Sequence, residues 1–197
     1  MVVQSHREAH QAMLLMESVQ PILTKRDMSK QTKEKLDGSI KVKRQKRTLG
    51  AVMEINIDNE YYVYAQSYPY TQEIIFDYRS KEPLKDLSVL LSAKQLFQVA
   101  VFRWVIGSGH WKKVGKLPLR EDLLPAQMKY IYHKFDRVKF EIYNPETVQI
   151  TPSSKEECRG LERCSVWGAE SIKDRIRDHY NGVPCMWLED EYEIFKD

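Results

Sequence analysis

The side chains of this 197-residue chain best suited to hold a metal or move a proton are five histidines and three cysteines. "HREAH" places His6 and His10 one helical turn apart, a spacing able to hold zinc. The zinc-protease pattern sets Glu directly after the first His or directly before the second, whereas Glu8 sits midway and would face the other side of a helix. The pair reads as incidental. His110 lies in "GSGHWKKVGKLPL", where no Ser, Cys or acidic neighbour supplies a nucleophile–base pair. A metallohydrolase site would have to combine His110, His133 and His179 with Asp77, Asp122 or Asp178, and no two of these share a motif. Cys158, Cys164 and Cys185 are odd in number and lack C-x-x-C spacing, so they read as reduced thiols in a reducing compartment. A P-loop, a dinucleotide fingerprint and a G-x-S-x-G elbow are all missing. The motifs therefore assign no catalytic residue, no metal and no cofactor.

The elements that would position these residues are mostly strands. In "AVMEINID", Met53, Ile55 and Ile57 alternate with Glu54, Asn56 and Asp58, as in a strand with one face buried. Asp58-Asn59 tolerates left-handed geometry, and "EYYVYAQ" returns as a second strand. "QEIIFDY" supplies a third, with Ile74, Phe76 and Tyr78 on one face. "LFQVAVFRWVI" is apolar on both faces apart from Gln98 and Arg103, which predicts a central strand covered on each side. "GSGH" would then turn that strand into "WKKVGKL", where Trp111 and Val114 pack and Gly115 allows a close backbone approach or a bulge. On that reading the glycine turn is a joint of the fold and His110 is its exposed tip. Val138, Phe140 and Ile142 alternate before "NPE" turns the chain into "TVQIT", giving another hairpin. "GAESIKDRIRDHYNG" is helical, with Ala169, Ile172, Ile176 and Tyr180 on one face and Asn181-Gly182 as its cap. "SSKEECRGL" predicts a shorter helix capped by Ser153 or Ser154.

The sum is an α+β fold, mainly antiparallel β, as a curled sheet or small barrel with one or two C-terminal helices. Residues 1–48 read as a basic arm, partly helical or mobile, and residues 49–197 as a single β-rich domain. The arm carries 11 Lys and Arg against 5 Asp and Glu, while the body carries 20 against 23. A nucleic-acid-binding domain would concentrate its positive charge in the body, so nucleic acid is argued against as a partner. "KVKRQKR" (residues 41–47) remains the one run that would attract phosphate, and it lacks an aromatic to stack a base. No apolar run approaches the ~20 residues of a membrane span, so no membrane partner is expected.

Two surface patterns suggest recognition. Tyr61, Tyr62, Tyr64, Tyr68 and Tyr70 fall within ten residues. Alternating tyrosines on a strand are either core on one face with amphipathic cover on the other, or an interface, since tyrosine is enriched where proteins meet. "EDEYE" packs Glu189, Asp190, Glu191 and Glu193 near the C-terminus, either as a solvated terminal strand or as an anionic patch for a basic partner.

"LGAVMEINIDNEYYVYAQ", "IIFDY" and "LFQVAVFRWVIGSGHWKKVGKLPL", in that order, resemble the bacterial immunity protein 26 family. The shared pattern is a glycine-led first strand (Gly50), a Tyr-rich second strand (Tyr62, Tyr64) and an aromatic-Asp strand end (Phe76, Asp77). A W-x-x-(V/I)-G-x-x-P-L hairpin follows, met here by Trp111, Val114, Gly115, Pro118 and Leu119. "GLERCSVWGAESIKDRIRDHYNG", with Leu161 and Trp167, is similar to the C-terminal part of longer members. The likeness covers roughly residues 45–187. It implies a cytoplasmic protein that binds and occludes a cognate secreted toxin domain, with no small-molecule substrate; an acidic body suits a basic toxin such as a nuclease. The contact residues would then include Tyr61, Tyr68, Tyr70 and the acids at 189–193. The same family label also covers proteins described as phosphotriesterases, which makes a metal-dependent hydrolase the alternative. Nucleic-acid binding through the arm is a second alternative.

Overall fold

A single glycine sets the start of the first sheet. Gly50 adopts φ +76°, and a Cβ there would lie 2.6 Å from the Leu117 carbonyl oxygen, so only glycine fits. Its amide donates to Ser67 O at 2.8 Å and its carbonyl accepts from Leu117 N at 2.9 Å, which ties three chain segments together. A computed structural model describes residues 44–133 and 139–196 of the chain. From Gly50 the chain runs into β1 (Ala51–Ile57), β2 (Tyr61–Ser67) and β3 (Gln72–Ser80), then β4 (Lys94–Val101). Asp58 and Asn59 take φ 54° and 63° between β1 and β2, the left-handed geometry expected of them. β5 (Lys112–Lys116) pairs with β1, and β10 (Val166–Trp167) joins β4 in parallel. The sheet order is β10-β4-β3-β2-β1-β5.

Register shifts at Val52/Met53, Val63/Ala65 and Ile75/Phe76 place three irregularities along this sheet, and each adds local twist. The result is a curled half-barrel with both faces buried. Met53, Ile55, Ile57 and Ile75 share one core with Trp111, Trp167, Ile172 and Ile176. Val52, Tyr64, Tyr68, Ile74 and Phe76 form a second core with Leu90. Gly115 sits opposite Val52 at the first irregularity, where a Cβ would meet Leu87 Cδ1 at 2.5 Å. The expected close approach at Gly115 is thus observed.

A second sheet, ordered β8-β7-β6-β9, contains β6 (Lys129–His133), β7 (Lys139–Asn144), β8 (Gln149–Ser153) and β9 (Glu162–Arg163). Its small core centres on Tyr130, Phe140 and Cys158. The helices are α1 (Arg103–Gly107), α2 (Lys155–Cys158), α3 (Ala169–Asn181) and α4 (Glu189–Ile194). Ser154 caps α2 through a capping box with Glu157. α3 buries Ala169, Ile172 and Ile176 and ends at Gly182 in the left-handed region, as its periodicity requires.

Two expectations need correction. "LFQVAVFRWVI" is not one strand: β4 stops at Val101, and residues 103–107 turn as α1, which buries Val105 and Ile106 while Trp104 faces outward. A doubly apolar run has no period to separate strand from helix, and the Phe102 amide bonds to Trp167 O where β10 ends. "EDEYE" is not a terminal strand either, but α4.

The arm also reaches into the body. Gln45 Nε2 donates to the carbonyls of Ile106 (3.1 Å) and Trp111 (2.7 Å), and its Oε1 accepts from Lys113 N (2.7 Å). Arg47 pairs with Glu73 at 2.5 Å and donates to Tyr68 O and Gln72 O. Glu73 is fully buried and also accepts from Ser67 Oγ at 2.8 Å. The expectations for His6, His10 and the helix before Pro21 lie outside the described residues.

Candidate functional site

Most of the sequence-selected residues turn out to be structural. Gly50, Tyr64, Phe76, Trp111, Gly115 and Trp167 build the two cores or the close approach between strands. Tyr62 is half-buried against the second core, and Leu161 packs on the third. The Pro118 carbonyl accepts from the buried Gln66 amide at 3.2 Å. Asp77 is exposed and accepts from the Tyr180 hydroxyl at 3.2 Å.

The tyrosine surface is smaller than expected. Tyr68 is fully buried, its hydroxyl accepting from Arg120 N at 3.0 Å, so it is withdrawn as a contact residue. Its position at the β2 end points it into the second core. Tyr61 is half-buried, edge-on to Tyr180 at 5.7 Å. Only Tyr70, in a left-handed turn at φ 56°, stands well out of the surface.

The body histidines do not converge. His110 lies edge-on to Trp104, His133 pairs with Glu141 at 2.8 Å, and His179 is 3.8 Å from Asp77. Asp122 is held by Arg120. Among the described residues no three His, Cys, Asp or Glu side chains group as metal ligands. Cys158, Cys164 and Cys185 are free thiols. Among the described residues no helix is long and apolar enough to cross a membrane.

The C-terminal segment is different. After Gly182 the chain cannot continue as helix, and Pro184 and buried Cys185 lead into a tight turn at Met186–Leu188 and then α4. The segment is pinned from beneath. Trp187 Nε1 donates to Asp174 Oδ2 at 2.9 Å, and the Cys185 amide donates to the Tyr192 hydroxyl. Ile194 and Phe195 enter the third core. What remains outward is apolar and aromatic: Val183, Met186, Trp187 and Tyr192 are 46–66% exposed. Glu189, Asp190 and Glu193 lie exposed among them. Fixed aromatics among charges are the composition of a recognition surface.

Glu191 departs from its three acidic neighbours by turning inward. It lines a cleft of about 350 Å³ together with Gly160, Leu161, Glu162, Tyr192 and Phe195. Glu162 is gripped bidentately by Arg175 at 2.6 and 2.9 Å, and that guanidinium also lies over Phe97 (4.1 Å) and Trp167 (4.9 Å). Glu191 has no such partner among the described residues. Burial, and then the charge of Glu162, push its carboxyl up to about 7, opposed by Arg163 and Arg175. The Tyr130 hydroxyl faces it from a fully buried ring without a hydrogen bond of good geometry. Behind them Lys129 donates to Gln98 O at 2.6 Å, and burial pulls its ammonium down to about 8. Burial pushes the Cys164 thiol up to about 12, which makes it a poor nucleophile.

Sequence reasoning found the acids at 189–193 but missed Glu162, Arg175, Lys129 and Tyr130. The only available signal was a buried-type position carrying a charge in "GLERCSVW" and in the polar stripe of α3. Neither spacing marks a motif. Compared with known proteins, the chain matches no family model, no curated protein and no solved structure.

Proposed function

We propose that this chain is a protein-binding module that neutralises a secreted toxin domain by covering it, and that the C-terminal segment from Val183 to Glu193 is its principal contact surface. The observation that carries this reading is the exposure of Met186, Trp187 and Tyr192 beside Glu189, Asp190 and Glu193 on a segment anchored from below. Exposed aromatic side chains already held in place lose little entropy on binding, which is the property of interface anchors. The acids select a basic partner and raise the rate of encounter. The resemblance of residues 45–187 to immunity proteins supplies the kind of partner, a toxin domain. Tyr70 is a secondary contact candidate on the same grounds of exposure, and Tyr61 a weaker one.

Charge steering and anchoring separate experimentally. Replacing Glu189, Asp190 and Glu193 by their amides should lower the association rate about tenfold at low salt and flatten its salt dependence. Trp187→Ala should leave association nearly unchanged and weaken binding by about 2 kcal/mol through dissociation. Both are read by surface plasmon resonance against the toxic domain of a secreted effector encoded beside this gene. An unaltered on-rate and salt slope in the amide variant would remove the steering role.

A further inference from the structure

The cleft beneath the proposed contact surface contains a carboxylate that the fold leaves unanswered. Glu162 is saturated by Arg175, whereas Glu191 points into the same space with no ion pair among the described residues. Behind the cleft the fully buried Tyr130 sets its hydroxyl toward Glu191 without a hydrogen bond of good geometry, and its ring packs edge-on against Phe195 at 5.2 Å. A carboxylate largely withdrawn from water with no cation paired to it is a place where a cation from outside would be held.

We infer that this cleft receives the cationic end of a basic side chain from the protein partner, paired with Glu191 and walled by Tyr192 and Phe195. The volume, about 350 Å³, lies at the lower end of the range in which small-ligand sites fall, roughly 300–1,000 Å³. A carboxylate beside aromatic walls recognises an organic cation through a charge-assisted hydrogen bond and contact with ring faces. A bare calcium ion would ask for about six to eight oxygen ligands, and one free carboxylate falls well short. The inference rests on the reading that the partner is basic, and it adds a specific pocket to a surface otherwise argued from exposure. The groups facing Glu191 are Glu162 and Arg163 from β9, Arg175 from α3, and Lys129 and Tyr130 from β6. Their net effect keeps Glu191 half-protonated near neutrality until a cation arrives.

The test uses the full chain and the peptide acetyl-Gly-Arg-Gly-amide, followed by carboxyl-carbon NMR of glutamate-labelled protein. Saturating peptide should return the Glu191 titration toward the ordinary carboxylate range, a result that needs no variant. Peptide affinity should rise about tenfold from pH 6 to pH 8 as Glu191 ionises, and Glu191→Gln should abolish that rise. Glu189→Gln should leave it intact. No saturable binding, or binding with the same pH profile in Glu191→Gln, would overturn the pocket. The two readings fail separately. If the triple amide variant slows toxin association while the peptide ignores Glu191, the surface stands and the pocket falls. If the peptide binds at Glu191 and no toxin domain is held, the pocket stands and the proposed function falls.

Discussion

Arg47 and Glu73 show how one residue pair can fix a chain segment. The carboxylate is fully buried, and desolvation raises its pKa against the opposing pull of Arg47. Removing the cation alone would strand a charge, so Arg47→Met should destabilise the protein by about 3 kcal/mol at pH 7. Arg47→Met combined with Glu73→Gln should recover part of that loss, as urea denaturation would reveal; additive losses would argue against the pair. Glu191 works in the opposite sense. Its folded-state pKa lies above the unfolded value, so the folded state holds an extra proton between roughly pH 4.5 and 7. Its contribution to stability therefore declines as pH rises through that window, and Glu191→Gln should be the more stable form at pH 8 by about 1 kcal/mol but not at pH 4. Equal stabilities at both pH values would contradict the placement of Glu191 in the cleft. None of this was legible in the sequence. Glu73 reads there as one polar position in "QEIIFDY", and its partner lies 26 residues away in a run that looks like a solvated arm.

Strands and helices were readable where the sequence carries a period, although β1 is buried on both faces and not on one as its alternation predicts, with Val52 in the second core and Glu54 covered beside Lys112. β1 and α3 carry clean periods of two and 3.6, and each forms the element its period demands. The pattern fails in "LFQVAVFRWVI", where apolar residues occupy both faces and the helical turn of α1 leaves no trace in the spacing. It fails again at α4, because "EDEYE" half-buries only Glu191 and offers no period at all. Residues 44–48 belong with the body for a similar reason: Gln45 bonds to α1 and β5 through its side chain, which no hydropathy pattern records. Two truncations separate arm from body. A chain starting at residue 44 keeps the Gln45 and Arg47 bonds and serves as the reference. One starting at residue 49 loses both and should melt several degrees lower, by about 2–4 °C per kcal/mol in a domain of this size. Identical melting temperatures would show that the arm's contacts contribute nothing.

At the scale of the molecule, two buried sheet faces and a second small sheet spend most of the aromatic and glycine residues on scaffold. Gly50, Trp111, Gly115 and Trp167 are placed where an interior needs them, not where a reactant would reach them. On the proposed reading recognition falls to the outer layer, and in its C-terminal segment exposed aromatics and acids coincide. Residues 49–197 carry 23 acids against 20 bases, and Glu189, Asp190 and Glu193 are among the exposed ones. The central claim is neutralisation by binding, and growth under co-expression tests it most directly. Cells producing the proposed cognate toxic domain should grow normally with the wild-type chain and lose protection when Trp187→Ala is combined with amides at Glu189, Asp190 and Glu193. Equal protection by that variant, or no protection by the wild type at matched expression, would contradict the account.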